Sequence, residues 1–313
     1  MNKMKKIGLT ALAASLVSVS ANAVDISGGA SLTYAGGNGG QSGNKWSMND
    51  NLTFTWGGEL DNGMTVDLNF LLDNGDGNAG QIFDNRSLAI GMGDMGTLTF
   101  WGSSGSGVVG SFDDMMPNAY EESWYTADSP NQGHSTANMW YYSNSFDAGT
   151  IHASFTPSGT SNDSASLELA AVVTAVENLE LGVAIGEDNA SATAVDNTIM
   201  YAKYTMGGAT IGVQKNDADV ATTGDEEFTA IGLSYAVSED LSVAVGKSKL
   251  AYEAVGTDAQ EATGFSASYT MGSMTLAGTL NSIKNEGAAG STGAANSNVT
   301  DSDTFELNLS FAF

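Results

Sequence analysis

From residue 24 to the end, apolar side chains recur at every second position, and no stretch sustains the three-and-four spacing of an amphipathic helix. The C-terminal run is the cleanest. Phe305, Leu307, Leu309, Phe311 and Phe313 alternate with Glu306, Asn308, Ser310 and Ala312. Leu52, Phe54 and Trp56 alternate with Thr53 and Thr55, and Val66, Leu68 and Phe70 with Asp67 and Asn69. Leu98 and Phe100 follow the same rule, as do Leu241, Val243 and Val245. Successive side chains of a strand point to opposite faces, so this pattern builds a sheet with one apolar face.

Turn residues cut the pattern into hairpins. Short connections fall at Asp61-Asn62-Gly63, Gly93-Asp94-Met95-Gly96, Asp147-Ala148-Gly149, Glu177-Asn178, Gly207-Gly208, Ser238-Glu239-Asp240 and Gly272-Ser273. Longer polar stretches alternate with them, the longest being 103–137. Seven short turns and eight long loops make fifteen connections, hence sixteen strands. The spacing predicts them at 25–35, 46–60, 64–72, 82–92, 96–102, 138–146, 150–156, 165–175, 179–186, 197–206, 209–216, 226–237, 241–252, 262–271, 274–284 and 304–313. An even number of strands, with short turns at one end and long loops at the other, describes a transmembrane antiparallel β-barrel of the bacterial outer membrane. In hydrocarbon no water satisfies an open sheet edge, so the sheet closes. A soluble β-sandwich also alternates. The strand count, the alternating loop lengths and aromatics near strand ends (Tyr201, Tyr204, Tyr235 and Tyr269) favour the barrel.

Residues 1–23 break the pattern. Lys3, Lys5 and Lys6 precede an apolar run from Ile7 to Ser20, and Ala21-Asn22-Ala23 supplies small residues for cleavage. This reads as a secretory signal peptide, leaving 24–313 as a single barrel domain. The apolar run is too short to span about 30 Å of hydrocarbon as a helix. The whole chain carries 36 acidic and 10 basic residues, a net charge of -26; removing three Lys makes it -29. Such acidity excludes nucleic-acid binding, which needs a basic surface. Zero Cys excludes disulfides, cysteine zinc sites and thiol catalysis, and nothing in the sequence calls for a cofactor.

Three places resemble the trimeric general porins of Gram-negative bacteria, especially the proteobacterial type. Asn85-Arg86-Ser87-Leu88-Ala89-Ile90-Gly91-Met92 followed by Gly96-Thr97-Leu98-Thr99-Phe100 resembles the family's fourth and fifth strands. Leu52-Thr53-Phe54 through Leu60-Asp61-Asn62-Gly63-Met64 is similar to the second strand and its turn, and terminal Phe313 to the signal read by the barrel-assembly machinery. The resemblance implies a sixteen-stranded homotrimer in outer-membrane lipid and lipopolysaccharide, passing small hydrophilic solutes passively. It also implies that the loop after strand five, 103–137, folds into the lumen as the constriction. Asp113, Asp114, Glu121 and Glu122 on that loop are then the expected pore-lining acids.

Family members commonly oppose such a loop with several bases. Here Asn51 and Gly102 stand where Arg is usual, leaving Arg86 as the opposing wall; yet Arg86 shares parity with Leu88 and Ile90, which points it outward unless a bulge intervenes. The reading is therefore a cation-preferring diffusion porin. A substrate-selective porin, or a plugged structural or adhesive barrel, are the alternatives. Four further features have plainer readings. Asp73-Asn74-Gly75-Asp76-Gly77-Asn78 fails the helix–loop–helix calcium spacing. Gly102, Gly105 and Gly107 lack the Lys of a phosphate loop and read as flexibility, and His152 with Ser154 as polar wall residues rather than a hydrolase pair. Lys247 and Lys249, on the apolar-face parity, suit interfacial snorkelling or phosphates of lipopolysaccharide.

Overall fold

The computed structural model describes residues 24–37, 44–73, 83–120, 135–158, 164–189, 194–220, 225–253, 258–286 and 300–313. The proposed leader, 1–23, lies outside them, as do residues 74–78. Sixteen antiparallel strands form one closed barrel. In chain order they are β1 (Asp25–Gly37), β2 (Trp46–Glu59), β3 (Thr65–Asp73), β4 (Asn85–Gly91), β5 (Thr97–Ser103), β6 (Met139–Phe146), β7 (Gly149–Thr156) and β8 (Ser166–Val176). Then follow β9 (Leu179–Asp188), β10 (Val195–Met206), β11 (Ala209–Val220), β12 (Glu226–Ala236), β13 (Leu241–Tyr252), β14 (Gln260–Met271), β15 (Met274–Glu286) and β16 (Thr300–Ala312). Each pairs with its neighbours in sequence, and β1 closes on β16 from Gly29↔Ala312 to Gly37↔Thr304. Among the described residues no helix is long and apolar enough to cross a membrane; the strands do the crossing.

Register carries the alternation around the circumference. Ile26 opposes Phe54, Phe54 opposes Phe70, Leu68 opposes Leu88, and Leu88 opposes Phe100. On the far side Ile211 opposes Leu233, which opposes Val245, and Val245 opposes Phe265. Ile26, Leu88, Ile211, Leu233, Val245 and Phe265 are exposed, Ile26 to 62%, while Phe54, Leu68, Phe70 and Phe100 in the same rows are half-buried. A continuous apolar band thus faces outward, where lipid takes the place of water. Tyr204, Tyr235 and Tyr269 lie in this outer row near the short turns, as an interfacial girdle requires. Tyr201 does not: it is 5% exposed and faces the lumen, where its hydroxyl bonds Glu180.

At the turn end the backbone needs left-handed residues, and Gly207 (φ 60°) and Gly272 (φ 61°) supply them without steric cost. Asn178 takes φ 63° in the same role, as Asn tolerates better than other side chains. At the loop end, strands overrun the sequence reading: β11 continues through Asp217-Ala218-Asp219-Val220, and β16 begins at Thr300. There the ladder outlasts the apolar alternation, because lipid no longer dictates the outward residues.

Candidate functional site: the barrel lumen

The segment after β5 enters the barrel and binds its inner wall at one point after another. A short helix, α1 (Val108–Phe112), buries Val108, Val109 and Phe112 against Ala170, Ala184, Ile199, Tyr201, Phe228, Ala230 and Leu250, all lumen-facing on β8 to β13. Glu168, 3% exposed, accepts bonds on Oε2 from the Val109 amide (3.0 Å) and the Ser154 hydroxyl (2.7 Å). Ser154 Oγ in turn accepts from the Val108 amide at 2.9 Å. These bonds satisfy amides that the first turn of a helix leaves unpaired.

Gln214 of β11 clamps the next stretch. Its Nε2 donates to the Asp113 carbonyl (2.6 Å) and also reaches the Phe112 carbonyl (3.2 Å), while its Oε1 accepts from the Met115 amide (2.8 Å). Asn216 Nδ2 donates to the same Asp113 carbonyl at 2.8 Å. Gly212 and Gly232 leave the space that Pro117 fills; a Cβ on Gly212 would lie 2.6 Å from Pro117 Cδ. The loop then crosses the lumen. The Ala119 amide donates to Ser266 Oγ on β14 (3.3 Å), and the Tyr120 hydroxyl to Glu306 Oε1 on β16 (2.8 Å). The loop after strand five therefore folds into the lumen.

Asp113 is half-buried at the Gln214–Asn216 clamp and Asp114 is exposed on the crossing segment, so both acids are on the inward loop; Glu121 and Glu122 lie outside the described residues. Arg86 is in register with Phe70 and exposed, in the outer row with Leu88 and Ile90. A bulge is present, but it lies in β5: Arg86 opposes Ser103 while Ser87 opposes Trp101, so Gly102 is the extra residue. A Cβ on Gly102 would sit 3.0 Å from Arg86 Nε, so this glycine makes room for the arginine. The bulge leaves Arg86 facing outward, and the opposing-wall role is corrected accordingly. Gly105 and Gly107 also serve close packing, beside Trp101 and the Glu168 carboxylate, rather than flexibility.

The remaining bases sort the same way. Lys215, Lys247, Lys249 and Lys284 occupy outward register positions, opposite Met200, Ile231, Thr229 and Glu261. Lys45 lays its ammonium over outward Phe305, 5.7 Å from the ring centroid. Of the seven basic residues of 24–313, only Lys203 points into the lumen, where Glu180 pairs with it at 2.8 Å. Inward register positions meanwhile carry Asp25, Asp67, Asp73, Glu168, Glu180 and Glu306. The register was the missing signal: parity within one strand suggested where Arg86 points, but sorting all seven bases required every strand pair.

His152 and Ser154 have separate tasks. His152 Nδ1 pairs with the Tyr141 hydroxyl (3.0 Å), whereas the Ser154 hydroxyl donates a hydrogen bond to Glu168. No group of three or more His, Cys, Asp or Glu among the described residues is arranged to hold a metal.

A closed barrel, apolar outside, polar inside and narrowed by an inward loop, is a channel through an outer membrane. Its backbone is shared with solved structures. The anion-selective porin of Comamonas acidovorans superposes with a TM-score of 0.68 at 16% identity, covering 93% of this chain and 99% of that one. Salmonella typhi OmpF, solved in complex with daunomycin, gives 0.70 at 12% identity over 94% and 98% of the two chains. OmpT of Vibrio cholerae in its trimer form gives 0.68 at 12% identity over 94% and 100%. No curated protein matches the sequence. The Gram-negative porin profile matches residues 8–259, and the chain belongs to that family: it is an outer-membrane porin for passive diffusion.

Proposed function

We propose that this porin is a general diffusion channel that prefers cations. The observation that carries this reading is the sorting of charge: six of seven bases leave the lumen, while acids line it. Low-dielectric walls focus that field and raise the local cation concentration, and carboxylates along a pore favour cation passage. One relative of the same fold is anion-selective, so the backbone leaves the sign of selectivity to the side chains. The acids of the loop after β5, Asp113 and Asp114 with Glu121 and Glu122, then set it. Folded protein in planar bilayers under a KCl gradient shows a reversal potential of cation-selective sign, shrinking as salt screens the lumen. Changing those four acids to Asn or Gln moves it toward zero. Anion selectivity in the unaltered protein overturns the reading.

The working unit is a homotrimer joined through the outward rows of β1 to β5. Outward Leu52, Phe54, Leu98 and Phe100 there then meet protein instead of lipid, with Trp140 in register opposite Phe100. OmpT of Vibrio cholerae, with the same backbone, exists in a trimer form. Unboiled samples migrating as monomers, confirmed by light scattering, overturn this assignment. Residues 1–23 act as the export leader, so the mature protein sequences from Val24; retention of Met1 in the membrane-inserted form refutes this. Phe313 serves as the assembly signal, and its deletion lowers the yield of inserted barrel. Lys247 and Lys249 meet lipopolysaccharide phosphates at the outer leaflet, and alanine at both weakens co-purification of that lipid. An unchanged yield, or unchanged lipid, removes the respective role.

A further inference from the structure

On the turn side of the docked loop, wall and loop border an open niche of about 540 Å³, within the size range of small-molecule sites. Met115 and Pro117 of the loop cover it, and Glu180, Lys203, Thr205 and Thr210 line the wall beneath. The Glu180–Lys203 pair is unlike anything else in the described lumen, because Lys203 is its single base. The Lys203 ammonium contacts Glu180 Oε1 at 2.8 Å, and the Tyr201 hydroxyl donates to that same oxygen at 2.9 Å. Both bonds fall on one oxygen. The Lys203 ammonium also lies 5.2 Å from the Tyr201 ring centroid, but neither it nor Glu180 Oε2 has a further hydrogen-bond or ion-pair partner among the described residues, and the Glu180 and Lys203 side chains are 33% and 23% exposed.

An acceptor and a donor of opposite charge thus stand side by side at the wall of a half-apolar niche. We propose that this niche is a binding subsite for small zwitterionic solutes with an apolar side group, free amino acids being the simplest members. The solute carboxylate bonds the Lys203 ammonium, its ammonium bonds Glu180 Oε2, and its side group rests on Met115 and Pro117 of the loop. A simple anion has to enter against the acidic lumen, and a simple cation finds other carboxylates without Lys203 beside them. Only a solute carrying both charges uses both halves of the pair. Partial exposure keeps the affinity weak, as transit demands, since a solute that binds must also leave.

The inference rests on the channel reading, and one experiment separates their failures. Folded protein in planar bilayers is titrated with L-phenylalanine, N-acetyl-L-phenylalanine and L-phenylalanine amide, which are zwitterion, anion and cation on one scaffold. We expect a saturable reduction of K⁺ current by L-phenylalanine, absent or much weaker with the other two. Lys203→Met and Glu180→Gln each raise the half-saturating concentration by about tenfold, the loss of one charged hydrogen bond. The double exchange Glu180→Lys with Lys203→Glu keeps both charges in place and restores much of the effect. Heat-modifiable mobility identifies variants that fold, and calorimetric titration of the unaltered protein in detergent gives a second readout. Block by the N-acetyl compound equal to that by the zwitterion, or an unchanged half-saturation in folded Lys203→Met, overturns the subsite. Absence of conductance from folded protein overturns the channel reading instead.

Discussion

The two sides of the barrel interior follow different rules. Along β8 to β13 the inward positions include Ala170, Ala184, Ile199, Phe228, Ala230 and Leu250, the composition of a globular core. Along β1 to β3 they include Ser31, Thr33, Asn51, Thr53, Thr55 and Asn69, mostly polar. Both sides have the same outward apolar row, so the lipid does not distinguish them. The inward loop does. Where α1 docks, the wall faces protein and becomes apolar; where no described segment docks, it stays polar. A channel interior is thus half a hydrophobic core and half an aqueous surface, on one continuous sheet.

Breaking the docked side has the largest effect. Phe112→Ala empties the centre of the apolar contact, at a cost of about 3–5 kcal/mol for a buried aromatic. Loop docking then weakens: single-channel conductance rises and becomes noisy, and protease cleaves the loop, while the barrel still forms heat-modifiable species. Thr53→Ala, on the polar side, leaves conductance near that of the unaltered protein. Similar effects from the two substitutions would erase the distinction between the walls.

Overfilling the same side acts more gently. Gly212→Val drives a side chain into Pro117, and overpacking costs about 1–3 kcal/mol. The tip of the loop shifts inward, so conductance falls where Phe112→Ala raised it. A rise in Gly212→Val would show that Pro117 does not rest on β11 in the membrane.

On the polar side the probe is charge. Asn51→Arg places a base on an inward position that now carries none, and it reduces the K⁺ over Cl⁻ preference without changing melting temperature. An unaltered reversal potential would place ion flow away from β2.

The smallest effect is at the loop rim. The repulsion of Asp219, then partial desolvation, then Glu253 hold the Asp225 carboxyl above its ordinary range. A carboxyl raised in the folded state costs stability when ionised, and that cost disappears as pH falls through the raised value toward the ordinary one. Asp225→Asn is thus slightly more stable near neutral pH, and melting curves of the two proteins converge in mild acid. A gap independent of pH would assign the effect to something other than charge.

Strand number and most boundaries were legible in the sequence because lipid imposes period two on the outward residues. Boundaries failed where that pressure stops. Asp217-Ala218-Asp219-Val220 and Thr300-Asp301-Ser302-Asp303 read as loop, yet pair as strand above the apolar band. The inward loop was expected from the resemblance to general porins, with which its length and its place after strand five agree. Its anchors were not, since Glu168, Gln214 and Ser266 look like any polar wall residue until the fold brings them to residues 108–119. Arg86 shows the limit of residue type as a guide. Parity raised the doubt, and only the pairing with Phe70 resolved it.

The chain ends meet through two backbone bonds, Gly28 N to Phe313 O at 2.7 Å and Phe313 N to Gly28 O at 2.9 Å. The partners are 285 residues apart, whereas most other seams join adjacent hairpins. Loop-closure entropy grows only logarithmically, so this seam costs about 3 kcal/mol more than closing a ten-residue turn. The obstacle is time. Until the final residue arrives, both edge strands carry a row of unanswered amides and carbonyls, each able to template pairing with another chain. A single missing residue at the C-terminus therefore acts less on the equilibrium than on the lifetime of the open sheet, during which aggregation competes with insertion.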